Sequence, residues 1–103
     1  MILIYIICKT KQEAKNIATM LVKLRLIACA NFWPIESIFR WNNKIVNNKE
    51  TALLLKTRKN YYQKIESLIK KIHNYETPCI LKIDVSKVNR QYLDWLMKET
   101  RII

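Results

Sequence analysis

The chain carries one histidine and three cysteines, and they bound the chemistry open to it. His73, Tyr75 and Glu76 fall within four residues of one another, just ahead of Pro78. Imidazole and carboxylate both ligate metal ions, and in a non-helical turn both side chains can point one way. The same residues also suit a plain helix stop, with His73 favouring a helix C-terminus and Pro78 fixing entry to the next strand. Glu50 and Lys56 are charged residues on a stretch otherwise heading into the interior. Enclosed at a subunit junction, each needs a partner, because an isolated buried charge is very costly. With Trp41, Tyr75 and Trp95 they line a polar pocket between subunits; on an exposed edge they need no such role, and the pattern does not choose for Glu50. There is no nucleophile–base arrangement, glycine-rich phosphate loop or HExxH, so the chain reads as a non-enzyme. Three cysteines without a CxxC argue against a disulfide framework or zinc ribbon.

These residues sit on a regular alternation of elements. Met1–Cys8 is apolar at both parities, the pattern of a strand covered on both sides. Thr10 and Glu13 have capping-box spacing, and Ala14, Ile17, Ala18, Leu21 and Val22 predict an amphipathic helix to about Arg25. Phe32–Trp41 and Lys44–Thr57 predict a long hairpin turned by Asn42-Asn43, since asparagine accepts positive φ. That turn pairs Trp41 with Lys44, Phe39 with Val46 and Ser37 with Asn48. The polar middle of the second strand, Asn47–Thr51, predicts either a bulge or a passage between environments. A stripe from Tyr61 or Tyr62 through Ile65, Leu68, Ile69 and Ile72 predicts a helix ending near His73. Cys79–Val85 alternates as a half-buried strand, and Asn89 can cap a short last helix bearing Tyr92, Leu93, Leu96 and Met97.

The order βαββαβ plus a terminal helix predicts a single α+β domain over residues 1–103. The arrangement is a ferredoxin-like sandwich: an antiparallel four-stranded sheet with helices on one face, a long central hairpin and an extra C-terminal helix. Right-handed crossovers order the strands fourth, first, third, second. Cys8 and Cys79 then share one end of the sheet and Cys29 lies at the other, which excludes a three-cysteine site within one subunit. The helices cover one face only, yet the first strand is apolar on both, so a second cover is expected; the simplest is another copy of the chain. The net charge of +11 across 103 residues admits an acidic partner, but the lysines are dispersed, and abundant Lys, Asn and Ile with no Gly match an AT-rich coding bias. No apolar run spans a membrane. Met1–Cys8 lacks the basic region and cleavage site of a signal peptide, and the expected location is cytoplasmic.

Five segments resemble, in order and spacing, motifs of the CutA divalent-ion tolerance proteins. They are Leu26-Ile27-Ala28-Cys29-Ala30-Asn31, Ser37-Ile38-Phe39-Arg40-Trp41, Leu55-Lys56-Thr57, His73-Asn74-Tyr75-Glu76-Thr77-Pro78 and Tyr92-Leu93-Asp94-Trp95. The resemblance covers nearly the whole chain. It implies a homotrimer, an architecture related to the PII signalling proteins, and a link to copper and other divalent metals. It also singles out Cys29, a thiol suited to soft ions or simply to a small buried site. A metal site would then use Cys29, His73 and Glu76, with Cys29 and His73 meeting only across a subunit boundary and no metal needed for folding. Two positions depart from the family pattern, which often has glycine where this chain has Asn43 and Val88. The rival readings are a PII-like regulator holding a small anion or a partner protein at subunit clefts, and an RNA-binding module. The missing RRM aromatic signature argues against nucleic acid as a partner.

Overall fold

The computed structural model describes residues 1–101. Its elements are β1 (Ile2–Cys8), α1 (Lys11–Lys23), β2 (Cys29–Trp41), β3 (Lys44–Thr57), a 3-10 turn (Lys59–Tyr61), α2 (Tyr62–Ile72), β4 (Ile80–Asp84) and α3 (Arg90–Glu99). The four strands form one antiparallel sheet in the order β2-β3-β1-β4, as the crossover rule predicts.

Helix α1 starts where the capping box places it. The Thr10 hydroxyl accepts from the Glu13 N–H at 3.1 Å, and Glu13 reaches back to the N–H of Lys9 at 2.8 Å. Its end comes two residues before the predicted one. Arg25 takes φ 60°, its N–H bonds the Val22 carbonyl, and the Leu26 N–H bonds that of Leu21. This crossed pair closes the helix and turns the chain. Arginine tolerates the left-handed backbone because its guanidinium is anchored on the carbonyls of Lys98 and Arg101.

Ile2, Ile4, Ile6 and Cys8 are fully buried and meet Ile17, Leu21, Leu53, Leu55, Ile65 and Ile69 under the two long helices. The other face of the sheet carries α3 at its Lys56 end and is otherwise open among the described residues. Pairing of Tyr5 with Leu81 and Leu3 with Ile83 puts the apolar side of β4 on that open face, where Leu81 stays 51% exposed. Cross-strand neighbours share a face, so Lys82 and Asp84 lie on the helix side and bridge each other at the edge.

The β2–β3 hairpin keeps one unbroken register from Cys29–Lys56 to Trp41–Lys44, with no bulge. Asn42 and Asn43 both adopt positive φ, as the turn requires. Val88 does not, so the glycine of the family pattern is not needed at that place. Since β1 ends opposite Thr51, Ile35–Trp41 and Lys44–Glu50 pair only with each other. They form an arm about 23 Å long at ~3.3 Å per residue. The polar middle of β3 is where the strand leaves the body: Thr51 to Leu53 are buried, Asn47 to Lys49 exposed.

Candidate functional site

The turn after α2 is tied to the far end of β1. His73 Nε2 lies 2.8 Å from the Ile7 carbonyl oxygen, and the Tyr75 N–H donates to His73 Nδ1 at 3.0 Å. A carbonyl can only accept and a backbone N–H can only donate. Nε2 is therefore the donor to Ile7, and the Nδ1 lone pair is already taken by Tyr75. Asn74 donates its N–H to Glu13, the same carboxylate that caps α1. The Cys8 sulfur, the Glu13 carboxylate and a His73 ring nitrogen all lie within 4.8 Å of one another, the spacing of a metal site. The donor set does not fit one. Metal ligands must offer deprotonated lone pairs, and His73 has none to spare. The Cys8 thiol is pushed up to about 12, first by burial and then by Glu13 and Glu50. We read the cluster as a hydrogen-bonded clasp.

Past the clasp the chain forms one wall of a cleft of about 650 Å³. The hairpin arm supplies the opposite wall through Phe39, Trp41, Val46 and Glu50, and the turn supplies Tyr75 and Glu76. Two carboxylates line this cleft and, among the described residues, no lysine, arginine or histidine does, in a chain with 19 basic side chains against 8 acidic ones. Glu50 is only 8% exposed. The Tyr75 hydroxyl donates to one of its oxygens; the other has no partner among the described residues. Burial first, then the hydrogen bond and charge of Glu50, raises the Tyr75 phenol above the usual tyrosine range. Burial and Glu50 also raise the Cys79 thiol at the cleft's edge.

The remaining candidates gather at the opposite end of the open face. Cys29 pairs in register with Lys56. The Lys56 ammonium sits 5.7 Å from the Tyr92 ring centroid, and Tyr92 packs against Trp95 with centroids 5.5 Å apart. The Tyr92 phenol is raised by burial and then by Cys29, and its oxygen is buried without a hydrogen-bond partner of ordinary geometry. Lys56 has no carboxylate within 4.0 Å among the described residues. The predicted pocket is thus split within one chain. Trp41, Glu50 and Tyr75 stand at one end with Glu76, while Lys56 and Trp95 stand at the other with Cys29. His73 holds the turn between α2 and β4.

Cys8 and Glu13 had no part in the predicted site. A signal for both exists: a capping-box glutamate must sit where β1 ends, and the strand order brings the α2–β4 turn to that same end.

Residues 2–99 match the family model described as CutA1 divalent ion tolerance protein. The divalent-cation tolerance protein CutA of Pyrococcus horikoshii is 39% identical over 101 residues, which is 98% of this chain and 99% of the relative. Protein CutA of Homo sapiens is 30% identical over 100 residues, 96% of this chain and 56% of that protein. Among solved structures, CutA1 from Pyrococcus horikoshii superposes with a TM-score of 0.94 at 38% identity, covering 98% of this chain and 99% of that one. The PII-like protein CutA from Nostoc, in apo form, gives 0.91 at 26% identity over 100% of both chains.

Proposed function

The chain belongs to the CutA1 divalent ion tolerance family, and on that premise we propose that it is a homotrimer that binds copper or another divalent cation at the acidic cleft. The observation that carries this reading is the sign of the cleft. In a strongly basic chain, a concavity lined by Glu50 and Glu76 without one base is a local well of negative potential. Glu76 is exposed and has no ion-pair or hydrogen-bond partner among the described residues, so it is the carboxylate free to ligate. Glu50 is held by Tyr75 through one oxygen and leaves the other for a base from a neighbouring copy, so the charge open to a cation is that of Glu76. Cys29 reaches such a site only from a neighbouring copy, where its thiolate would favour a soft ion. His73 would join only by giving up the Tyr75 N–H. The three free cysteines fit a reducing, cytoplasmic setting.

A regulator holding a small anion is the second reading, favoured by the likeness to the PII-like protein from Nostoc. It needs bases from another copy, since the cleft's own lining has none.

Calorimetric titration with Cu(II) and Zn(II), and with Cu(I) under reducing conditions, tests the proposal. Glu76→Gln and Cys29→Ser should each weaken binding about tenfold or more, the effect expected for a ligand or its immediate support. His73→Asn should bind as wild type does. Unchanged titrations for both Glu76→Gln and Cys29→Ser would remove the cation from this cleft.

A further inference from the structure

We propose that the cleft is completed by a second copy of the chain, with Lys56 of one subunit pairing with Glu50 of the next. The inference rests on the homotrimer reading and gives it a specific contact. Each half of the open face carries a group that its own chain leaves unsatisfied. At one end, Glu50 is 8% exposed, with one oxygen bonded to Tyr75 and the other facing a cleft that has no base. At the other end, Lys56 lies over Tyr92 without a carboxylate in reach, beside the buried, unpartnered Tyr92 oxygen. Both residues point from the same face of β3, six positions apart, so about 20 Å separates them at ~3.3 Å per residue. Two side chains cannot close that gap within one chain.

Apolar surface on the same face also awaits a cover: Trp33 is 42% exposed, and Leu81 and Ile83 on β4 are similarly bare. The cover required is therefore apolar along its length, positive where it meets Glu50 and negative where it meets Lys56. The open face of a second copy has those properties by construction. Glu50 and Lys56 belong to different patches, so in a closed ring each copy gives its Glu50 end to one neighbour and its Lys56 end to the other. Cys29 travels with Lys56, its register partner, and so arrives beside Glu76.

The test is the oligomeric mass by light scattering across a dilution series, with circular dichroism confirming the fold. Wild type should give three times the 12.4 kDa chain mass. Glu50→Lys and Lys56→Glu should each weaken assembly roughly 30-fold or more per junction, as breaking a buried charge pair does. The doubly reversed variant E50K/K56E should recover the wild-type mass. Mixing the two single reversals can satisfy two junctions of a trimer but both junctions of a dimer, so incomplete recovery marks the odd ring. Should the reversals not fold, Glu50→Gln, Lys56→Met and their double variant give the coupling on the dissociation constant. Additive effects in that cycle, or a folded E50K/K56E that stays dissociated while wild type assembles, overturn the pairing alone. A monomeric wild type overturns the trimer and the pairing together.

Discussion

Replacing His73 separates a clasp from a ligand. In His73→Ala two hydrogen bonds go: the one to the Ile7 carbonyl at 2.8 Å and the one from the Tyr75 N–H at 3.0 Å. Each is worth about 1 kcal/mol net, and a buried group left bare costs more, so the loss is ~2 kcal/mol or somewhat above. For a domain of this size 1 kcal/mol moves the melting midpoint by about 4–8 °C, which puts the variant ~10–15 °C below wild type at equal protein concentration. His73→Asn should lose about half as much. Its side-chain oxygen can still accept the N–H two residues on, and only the Ile7 bond is forfeited. The assay is thermal unfolding by circular dichroism, repeated with Zn(II) in excess, since an ion bound to the native state raises its stability by mass action. The clasp predicts the graded series without zinc, the full zinc increment in His73→Asn, and in His73→Ala a smaller increment only together with the lost stability. A His73→Ala protein that melts within ~2 °C of wild type but loses its zinc increment would refute it.

Two further outcomes follow from groups pushed off their usual titration ranges. Cys8 is fully buried, with its thiol near 12, and the thiolate is the reactive form. Iodoacetamide at pH 8 should therefore modify Cys8 only as fast as the protein opens; immediate labelling, read by peptide mass spectrometry, would contradict the burial. For Tyr75 the folded state holds the phenolic proton more tightly than the unfolded chain does. Its contribution is thus complete below the unfolded value near 10 and is lost as pH rises beyond it. Tyr75→Phe should be less stable than wild type at pH 7, because Glu50 loses its donor, and its midpoint should fall less steeply between pH 9 and 11. Parallel slopes for the two proteins would remove Tyr75 from the alkaline transition.

The sheet was legible because its signals are local or periodic. An eight-residue run apolar at both parities, rich in isoleucine and followed at once by a helix cap, reads as a central strand. Asn42-Asn43 sets a two-residue turn, and the turn sets every pair of the hairpin register down to Cys29 and Lys56. Where the reading slipped, a tertiary anchor decided. The last turn of α1 was given up because Arg25 could reach the carbonyls at the end of α3. The bulge considered for β3 is absent because the polar residues mark the point where the arm leaves β1.

The candidate site was legible in its residue types, less so in its geometry, and the reason is physical. Parity and spacing already place Glu50 and Lys56 on one face and too far apart to meet. They also place Cys29 and His73 at opposite ends. No pattern tells which lone pairs are already in use. His73 looks like a ligand by type, yet its availability is decided by a backbone carbonyl on β1 and a backbone N–H two residues on. Glu13 looks like a cap, yet it also holds the N–H of Asn74 and so fixes the turn that sets Tyr75 against Glu50. These bonds help to hold the turn bearing Tyr75 and Glu76 at the end of β1, alongside the pairing of β4 with β1 and the Tyr75–Glu50 hydrogen bond. A substitution at His73 can therefore weaken cation binding without His73 touching the ion. Stability measured in the absence of metal is what tells that loss apart from the loss of a ligand.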